Sequence, residues 1–283
     1  MFTIFGATGH TGSIVARQLL ARGKQVRVVG RDPAKLAAFE GAETIVGDVT
    51  DAATVAKALA GAEGAYLMLP PDNANPDLIA RNKQVNKNYV AGLEGVPHVA
   101  VLSSVGAERS SGTGPIVTAH NLEVALNDAG QKATIIRAAY FMENLLQNAY
   151  PMQHDGVLPV LGGGEAYPFP MVATKDIGEA AADALVNPDR DRYVELSSGP
   201  TEYSFDDAAK LAGELLGRPV KTVVVPMEAV VPTLSQFGFS PTVAGLYREM
   251  VEAFAGGLSF EGKGRRVRGK TTLAEVLRAG LGK

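Results

Sequence analysis

The sequence predicts an α/β fold: a doubly wound parallel sheet of the Rossmann type with a smaller, mostly C-terminal α/β lobe. Three observations support this prediction. Short apolar runs alternate with amphipathic stretches over about the first 140 residues, which is typical of βαβ units. The apolar runs lack a two-residue period, as expected for strands that helices cover on both faces. A glycine-rich turn joins the first apolar run to the first amphipathic stretch.

The elements of the first half can be assigned in chain order. Strands are expected at the short apolar runs Phe2–Phe5, Gln25–Val29, Thr44–Val46, Gly64–Leu69, His98–Ser103 and Thr134–Arg137. Helices are expected at the amphipathic stretches Thr11–Ala21, Pro33–Phe39, Ala52–Leu59, Pro76–Gly92 and His120–Asp128. Because a helix follows each of these strands but the last, the strands are predicted to run parallel.

The pattern changes beyond residue 140. We expect helices at Phe141–Tyr150, Lys175–Leu185 and Phe205–Leu216, and strands at Met171–Ala173, Tyr193–Ser197 and Val220–Val225. A Gly/Pro-rich stretch, Gly156–Pro170, separates the first helix from the first strand. The remainder is largely helical. We therefore assign residues 1–150, with later segments at about 171–197, to a dinucleotide-binding Rossmann domain. Residues 151–170 and 198–283 are predicted to form a smaller lobe for a substrate or partner.

Composition excludes several classes of function. The 283 residues include no cysteine, which excludes disulfides, thiol catalysis and thiolate metal sites. The 27 basic and 30 acidic side chains give a net charge of −3, so nucleic acid is disfavoured as the main partner. The run Lys263–Lys270 is interpreted as a solvated loop, since no DNA-reading motif accompanies it. No signal peptide or apolar run of spanning length is found, which predicts a cytoplasmic protein without a membrane partner.

The glycine-rich turn reads Gly-Ala-Thr-Gly-His-Thr-Gly and lies between the first strand and the first helix. Gly6 would allow a sharp turn, Gly9 would let backbone amides approach a pyrophosphate, and Gly12 would let the helix pack close to the strand. The helix N-terminus would point its N–H groups and positive dipole at the phosphates. The other loop residues predicted to line a dinucleotide are Thr8, His10 and Thr11. The alternative is a simple strand-to-helix turn.

The end of the second strand favours NADP(H) over NAD(H). An NAD site usually has Asp or Glu at this position to bind the ribose hydroxyls, but here Gly30 is followed by Arg31. A carboxylate would repel a 2′-phosphate by roughly 4 kcal/mol at 4 Å and an effective dielectric constant near 20. A guanidinium instead offers paired donors. Asp32 is interpreted as a cap of the helix that opens with Pro33. Arg31 as a solvated surface residue is the alternative.

Positions after later strands suggest further contacts with the cofactor. Asp48, after the third strand, suits a contact with the adenine, and Leu69 and Pro70, after the fourth, suit a wall beside a ribose. Both follow from position in the fold, and a plain loop role is the alternative for each. Ser103, at the end of the fifth strand, is a further candidate contact with the cofactor.

Six motifs together resemble the NmrA-like family of atypical short-chain dehydrogenases/reductases. They are GATGHTG, VVGRDPAKL, VLSSVGA, TIIRAAYFMENL, VATKDIGEAA and GKTTLAEVL, and they run over nearly the whole chain. Within that family the sequence is most similar to bacterial NADPH-dependent quinone reductases and triphenylmethane-dye reductases. The resemblance implies an extended Rossmann fold, NADP(H) preference through Arg31, and a nicotinamide pocket bordered by Tyr140, Phe141 and Asn144. It also implies a second class, regulators that bind dinucleotide without doing chemistry.

The Tyr-x-x-x-Lys dyad of conventional short-chain dehydrogenases is missing. None of the eight tyrosines has a lysine four residues later, and no lysine occurs between Lys87 and Lys132. A general alcohol dehydrogenase is therefore disfavoured. The remaining catalytic candidates are His120 and Tyr140. For His120, a contact with the nicotinamide ribose or a plain role near the helix N-terminus are the alternatives.

These observations leave two hypotheses. The first is an NADPH-dependent reductase of quinone-like or other electrophilic, conjugated small molecules, because such acceptors need no dedicated proton donor. The apolar residues that could line a slot for them are Tyr140, Phe141, Met142, Phe169, Phe237 and Phe239. The second is a catalytically silent NADP(H) sensor that regulates a protein partner. A homo-oligomer is compatible with both.

Overall fold

The computed structural model describes residues 1–188, 192–256 and 264–282. Within these ranges the chain forms twelve strands: β1 Phe2–Phe5, β2 Val26–Gly30, β3 Glu43–Val46, β4 Gly64–Leu67, β5 Val99–Ser104, β6 Ala133–Ala138, β7 Tyr140–Phe141, β8 Val157–Leu161, β9 Met171–Val172, β10 Tyr193–Ser198, β11 Lys221–Val225 and β12 Arg265–Arg268. It also forms eleven α-helices: α1 His10–Ala21, α2 Pro33–Leu36, α3 Ala52–Leu59, α4 Leu78–Gly92, α5 Val117–Asp128, α6 Ala149–His154, α7 Thr174–Val186, α8 Phe205–Leu216, α9 Val230–Gln236, α10 Pro241–Ala255 and α11 Leu273–Leu281.

The main sheet has eight strands in the order β3-β2-β1-β4-β5-β6-β10-β12, and every neighbouring pair is parallel. The predicted α/β fold is confirmed, and so are the six strands assigned in the first half. The strand order reverses between β1 and β4, so a crevice is expected above their carboxyl ends. This switch point positions the site described below.

Helices cover both faces of the sheet. On one face, α1 packs over β1 and β2, α7 packs beside it over β4, β5 and β6, and α1 buries Val15, Ala16 and Leu19 as an apolar stripe. Gly178 permits this close approach, because a Cβ there would lie 2.5 Å from the Cβ of Ile14. On the other face, α3, α4 and α5 bury a second apolar cluster against the sheet. The doubly wound core therefore has no solvated face at its centre.

The smaller lobe packs around its own apolar core. Met142, Leu145 and Met152 meet apolar residues of α8 and α11 there, and β8 pairs with β11 beside them. A separate small cluster joins α9 to α10 through Val230, Leu234 and Ala244. The predicted Rossmann segment 1–150 thus ends with residues that lie in the core of the smaller lobe.

The predicted helix Phe141–Tyr150 is wrong in its type. Tyr140 and Phe141 are extended because they pair with β9, and a 3₁₀ helix follows over Met142–Asn148. Pro151 also disfavours a continuous α-helix, since it cannot donate to the carbonyl of Gln147. The Gly/Pro-rich stretch Gly156–Pro170 contains one more element than expected, the strand β8.

The basic run interpreted as a solvated loop is partly a strand. Arg265–Arg268 form β12, which pairs with β10 at the edge of the main sheet, while Lys263 lies outside the described residues. The prediction was wrong because backbone hydrogen bonds hold an edge strand whose charged side chains stay exposed. This part of residues 198–283 therefore belongs to the main sheet and not to the smaller lobe.

Among the described residues, no helix is both long and apolar enough to cross a membrane.

Candidate functional site

The glycine loop lies at the switch point, at the carboxyl end of β1. Gly6 has a φ of +64°, so the sharp turn requires a residue without a Cβ. A Cβ on Gly12 would lie 2.3 Å from the carbonyl oxygen of Gly6, which shows how closely α1 approaches the loop. Gly9 differs, because a Cβ there would meet only that same oxygen, at 3.3 Å. Gly9 is exposed and leaves its outer side free for another molecule.

The N-terminus of α1 is suited to an anion. Gly9 occupies the N-cap position in an extended conformation, with no side-chain cap and no acidic residue in the first turn. The first N–H groups and the helix dipole therefore face outward without a competing carboxylate from this helix. Thr8 and His10 are exposed beside this end. Thr11 is buried instead, and its hydroxyl accepts a hydrogen bond of 2.8 Å from Tyr66.

Arg31 stands at the carboxyl end of β2 with its side chain 74% exposed. Its Nε lies 3.8 Å from Oδ2 of Asp48, so the guanidinium is only loosely held. Burial alone would raise the pKa of Asp48, but hydrogen bonds from Thr50 and the charges of Arg81 and Arg31 lower it below its usual value. The exposed guanidinium and the ionised carboxylate thus lie side by side at this edge.

The residue before Arg31 faces the glycine loop. A Cβ on Gly30 would lie 3.5 Å from Cγ2 of Thr8, so the two loops approach each other closely. Asp32 caps α2 by accepting from the N–H groups of Ala34 at 2.9 Å and Lys35 at 3.3 Å, as predicted. Its carboxylate is therefore engaged with the helix that follows.

Leu69 and Pro70 follow β4 on the other side of the switch point. Leu69 is half-buried against the apolar cluster under α3, α4 and α5. The carbonyl of Pro70 accepts a 3.1 Å hydrogen bond from Arg81, which also pairs with Asp72 at 3.1 Å. The loop after β4 is thus fixed by α4, and its two apolar side chains lie at the carboxyl edge of the sheet.

A buried charged cluster lies at the ends of β5 and β6. Arg137 binds Glu123 of α5 through two hydrogen bonds of 3.0 and 2.7 Å, and Ser103 donates to the same carboxylate. A second carboxylate, Glu108, lies 3.5 Å from Nη1 of Arg137. The ring of Tyr193 lies 5.0 Å from the guanidinium carbon. The Ser103 hydroxyl is therefore directed into the protein.

His120 lies in the first turn of α5, which begins at Val117, three residues before the predicted start. Its Nδ1 is 2.8 Å from the carbonyl oxygen of Ala107. A carbonyl only accepts hydrogen bonds, so Nδ1 carries the proton. In the neutral ring, Nε2 then holds the lone pair and can accept but not donate.

Tyr140 belongs to an aromatic cluster at the boundary of the two lobes. Its ring makes edge contacts with Phe169 at 5.5 Å and Phe205 at 6.0 Å between centroids. Burial raises the pKa of the Tyr140 phenol, and the nearby phenol of Tyr247 raises it further. Tyr140 therefore stays protonated over the ordinary pH range.

The residues predicted to line an acceptor slot divide into groups. Phe169 joins Tyr140, whereas Phe239 packs against Tyr247 with centroids 5.3 Å apart. Met142 is fully buried in the core of the smaller lobe, and Phe237 is 76% exposed. Phe141 packs against the core of the main sheet.

The sequence did not indicate Phe205, Tyr247 or the pairing of Glu108 with Arg137. An arginine inside the apolar run TIIRAA was the one signal for that pairing. In the part of the chain that the structure describes, no three His, Asp or Glu side chains are arranged to hold a metal ion.

Comparison with known proteins agrees with this architecture. The signature of the NmrA-like family matches residues 1–261. The NAD(P)H azoreductase of Xenophilus azovorans is 24% identical over 258 residues, which cover 88% of this chain and 86% of that protein.

Two solved structures are similar over almost their whole length. The NADPH-dependent quinone oxidoreductase of Escherichia coli, complexed with NADPH, has a TM-score of 0.78 at 23% identity and covers 99% of both chains. The triphenylmethane reductase of Citrobacter sp., complexed with NADP(H), has a TM-score of 0.76 at 22% identity and covers 99% of this chain and 100% of the other. At these identities the likeness shows the shared fold.

Proposed function

This chain belongs to the NmrA-like family, and we propose that it is an NADPH-dependent reductase of quinone-like or other electrophilic, conjugated small molecules. The observation that carries the proposal is the loosely held Arg31 beside Gly30 and an uncapped helix N-terminus. The names of the relatives support it, since they include an NAD(P)H azoreductase and reductases of quinones and triphenylmethane dyes.

The residues present fit a dinucleotide. The open side of Gly9 leaves the space that a Cβ would fill, and the first N–H groups of α1 would bind the pyrophosphate. Arg31 would bind the 2′-phosphate. The remaining residues proposed to contact the cofactor are Gly6, Thr8, His10, Thr11, Gly12, Asp48, Leu69, Pro70, Ser103, Tyr140 and Phe141. Ser103 would do so only through its backbone, because its hydroxyl donates to Glu123. When bound, NADPH supplies a hydride.

The acceptor class follows from the two proposed catalytic residues. The buried phenol of Tyr140 has a raised pKa and is a weak acid. The ring of His120 uses its Nδ1 proton for the carbonyl of Ala107. Neither group is arranged as a strong donor to a developing alkoxide. A quinone that takes a hydride becomes a stabilised hydroquinone anion, and water can then supply the proton.

The test is oxidation of NADPH with a panel of benzoquinones, cationic dyes and simple ketones. We expect turnover with quinones and dyes, at rates that follow their electrophilicity, and none with simple ketones. Binding of NADPH with no turnover of any acceptor would favour the catalytically silent sensor. Such a sensor should bind a protein partner differently with NADPH and with NADP⁺, as linkage requires.

Cofactor preference is tested by replacing Arg31. Loss of a charge-assisted contact costs roughly 1.5–3 kcal/mol, so Arg31→Ala should weaken NADPH binding by about tenfold to a hundredfold. NADH binding should barely change. Lys57→Ala removes an exposed charge from the last turn of α3 and is the control. Equal losses for NADPH and NADH in titration calorimetry would refute the role of Arg31.

A cytoplasmic location, and either a homo-oligomer or a regulated protein partner, remain predictions from the sequence.

A further inference from the structure

The contacts below the loop between β5 and α5 connect a buried ion pair to the ring of His120. We propose that Glu108 is a positioning residue, which acts with Arg137 to hold His120 as the Nδ1–H tautomer and leaves the Nε2 lone pair available to a bound ligand. The consequence for turnover rests on the proposed function. The effect on the tautomer does not.

Arg137 is a fixed point for this loop. Its side chain is 5% exposed, and Glu123 holds it through two hydrogen bonds while the ring of Tyr193 lies against it. Glu108 approaches the remaining end of the guanidinium, with Oε2 3.5 Å from Nη1. Since Arg137 cannot move far, this ion pair fixes the position of Glu108 and of the loop that carries it.

The loop in turn holds the histidine. Ala107 precedes Glu108, and its carbonyl accepts the hydrogen bond from Nδ1 of His120 at 2.8 Å. Two turns define the backbone here, from Ala107 N–H to the Ser104 carbonyl and from Arg109 N–H to the Gly106 carbonyl, each 3.1 Å long. Ala107 and Glu108 are the two central residues of the second turn, so a side chain that anchors Glu108 also sets the direction of the Ala107 carbonyl.

Stability does not account for Glu108 at this position. Two carboxylates share one guanidinium, and burying such groups is costly unless all their polar atoms are paired. Oε1 of Glu108 and Nη1 of Arg137 are buried without a hydrogen-bond partner among the described residues. An apolar residue would fill the site at lower cost. What the carboxylate adds is placement of the loop.

The tautomer decides what His120 offers to a ligand. With Nδ1 protonated, Nε2 can accept a hydrogen bond from a hydroxyl group, such as one on the nicotinamide ribose. If the Ala107 carbonyl turned away, the proton could move to Nε2, which would then donate instead. Glu108 would thus decide whether Nε2 of His120 accepts or donates a hydrogen bond, without itself touching the ligand.

The test is nitrogen-15 NMR of the histidine rings in the full chain. The chain has four histidines, and the signals of His120 are assigned by their loss in His120→Gln. We expect the Nδ1–H pattern in the wild type and a mixture that includes Nε2–H in Glu108→Ala. Glu108→Gln keeps an oxygen that can face Arg137 and should largely restore the wild-type pattern. Glu108→Gln is also the variant to measure if Glu108→Ala does not fold.

The control is Glu43→Ala, which breaks the 2.9 Å pair between Arg27 and Glu43 at the edge of the main sheet. It should leave the His120 signals unchanged. With a quinone acceptor, Glu108→Ala should raise KM for NADPH roughly threefold to tenfold while kcat changes less than about twofold. An unaltered Nδ1–H pattern in Glu108→Ala would overturn the inference. Absence of turnover in the wild type would instead refute the proposed function, because the NMR result is independent of activity.

Discussion

Two alanine substitutions in the glycine loop are expected to impair different properties of the protein, its folding stability in one case and its binding of NADPH in the other. In Gly12→Ala the new methyl group would lie 2.3 Å from the carbonyl oxygen and 2.8 Å from the carbonyl carbon of Gly6. Both are backbone atoms of the loop, so no side chain can rotate to relieve the overlap. In Gly9→Ala the methyl group would meet only the Gly6 oxygen, at 3.3 Å. The first change should disturb the fold, and the second should disturb binding.

The magnitudes follow from these contacts. Overpacking of a tight site costs about 1–3 kcal/mol, so Gly12→Ala should lower Tm by about 2 to 8 °C for a chain of this size. Gly9 has a φ of −91°, which alanine adopts without strain. The poorer N-cap of alanine and its lower unfolded-state entropy offset each other, so the shift in Tm should stay below about 2 °C. Loss of one charge-assisted contact with the pyrophosphate would weaken NADPH binding at least about tenfold.

Thermal melts without cofactor and titration calorimetry with NADPH distinguish the two effects. Gly245→Ala is the control, because a Cβ there meets no atom within 4 Å and the position lies inside α10. It should melt at or above the wild-type temperature. Normal NADPH binding by Gly9→Ala would show that the loop is only a turn. A wild-type Tm for Gly12→Ala would refute the packing argument.

Two further predictions concern titratable groups. Burial raises the pKa of Tyr140, so the phenol stays protonated up to and beyond pH 10. The pH–rate profiles of the wild type and of Tyr140→Phe should therefore have the same shape on the alkaline side, and a fall in rate that the substitution removes would contradict this. Hydrogen bonds from the backbone and hydroxyl of Ser204 lower the pKa of Asp207 in the folded state. The Asp207 carboxylate therefore stabilises the fold fully above its unfolded pKa of about 3.9, and this stabilisation is lost as the pH falls through the folded pKa. Asp207→Asn should therefore lower Tm at pH 7 and have little effect at about pH 2, and an equal loss at both pH values would contradict the capping role.

Local chemistry is what the sequence predicted well. The spacing of Gly6, Gly9 and Gly12 between a strand and a helix predicts a geometry that depends on about ten consecutive residues. The cap formed by Asp32 is equally local, because donor and acceptor lie within three residues. The position of Arg31 follows directly from the end of the second strand.

Features that depend on distant contacts could not be predicted. The strand Arg265–Arg268 reads as a solvated basic run, and only its pairing with β10 shows that it belongs to the sheet. The pair of Glu108 and Arg137 joins a loop to a strand 29 positions away in the chain. Tyr140 meets Phe205 only because the smaller lobe folds back over the end of β6. Periodicity carries no information on such pairings.

The arrangement around His120 connects these contacts to the choice of acceptor. Its Nδ1 proton is directed to the Ala107 carbonyl, and a buried ion pair holds the loop that provides this carbonyl. In its neutral form, a histidine held in this way can accept a hydrogen bond at Nε2 but has no proton there to give to an alkoxide. The phenol of Tyr140 is kept neutral by burial and gives up its proton reluctantly. Acceptors that form stabilised anions do not need an acid at the moment of hydride transfer, whereas simple ketones do. On the proposed function, the arrangement of these two groups favours electrophilic, conjugated acceptors over simple ketones.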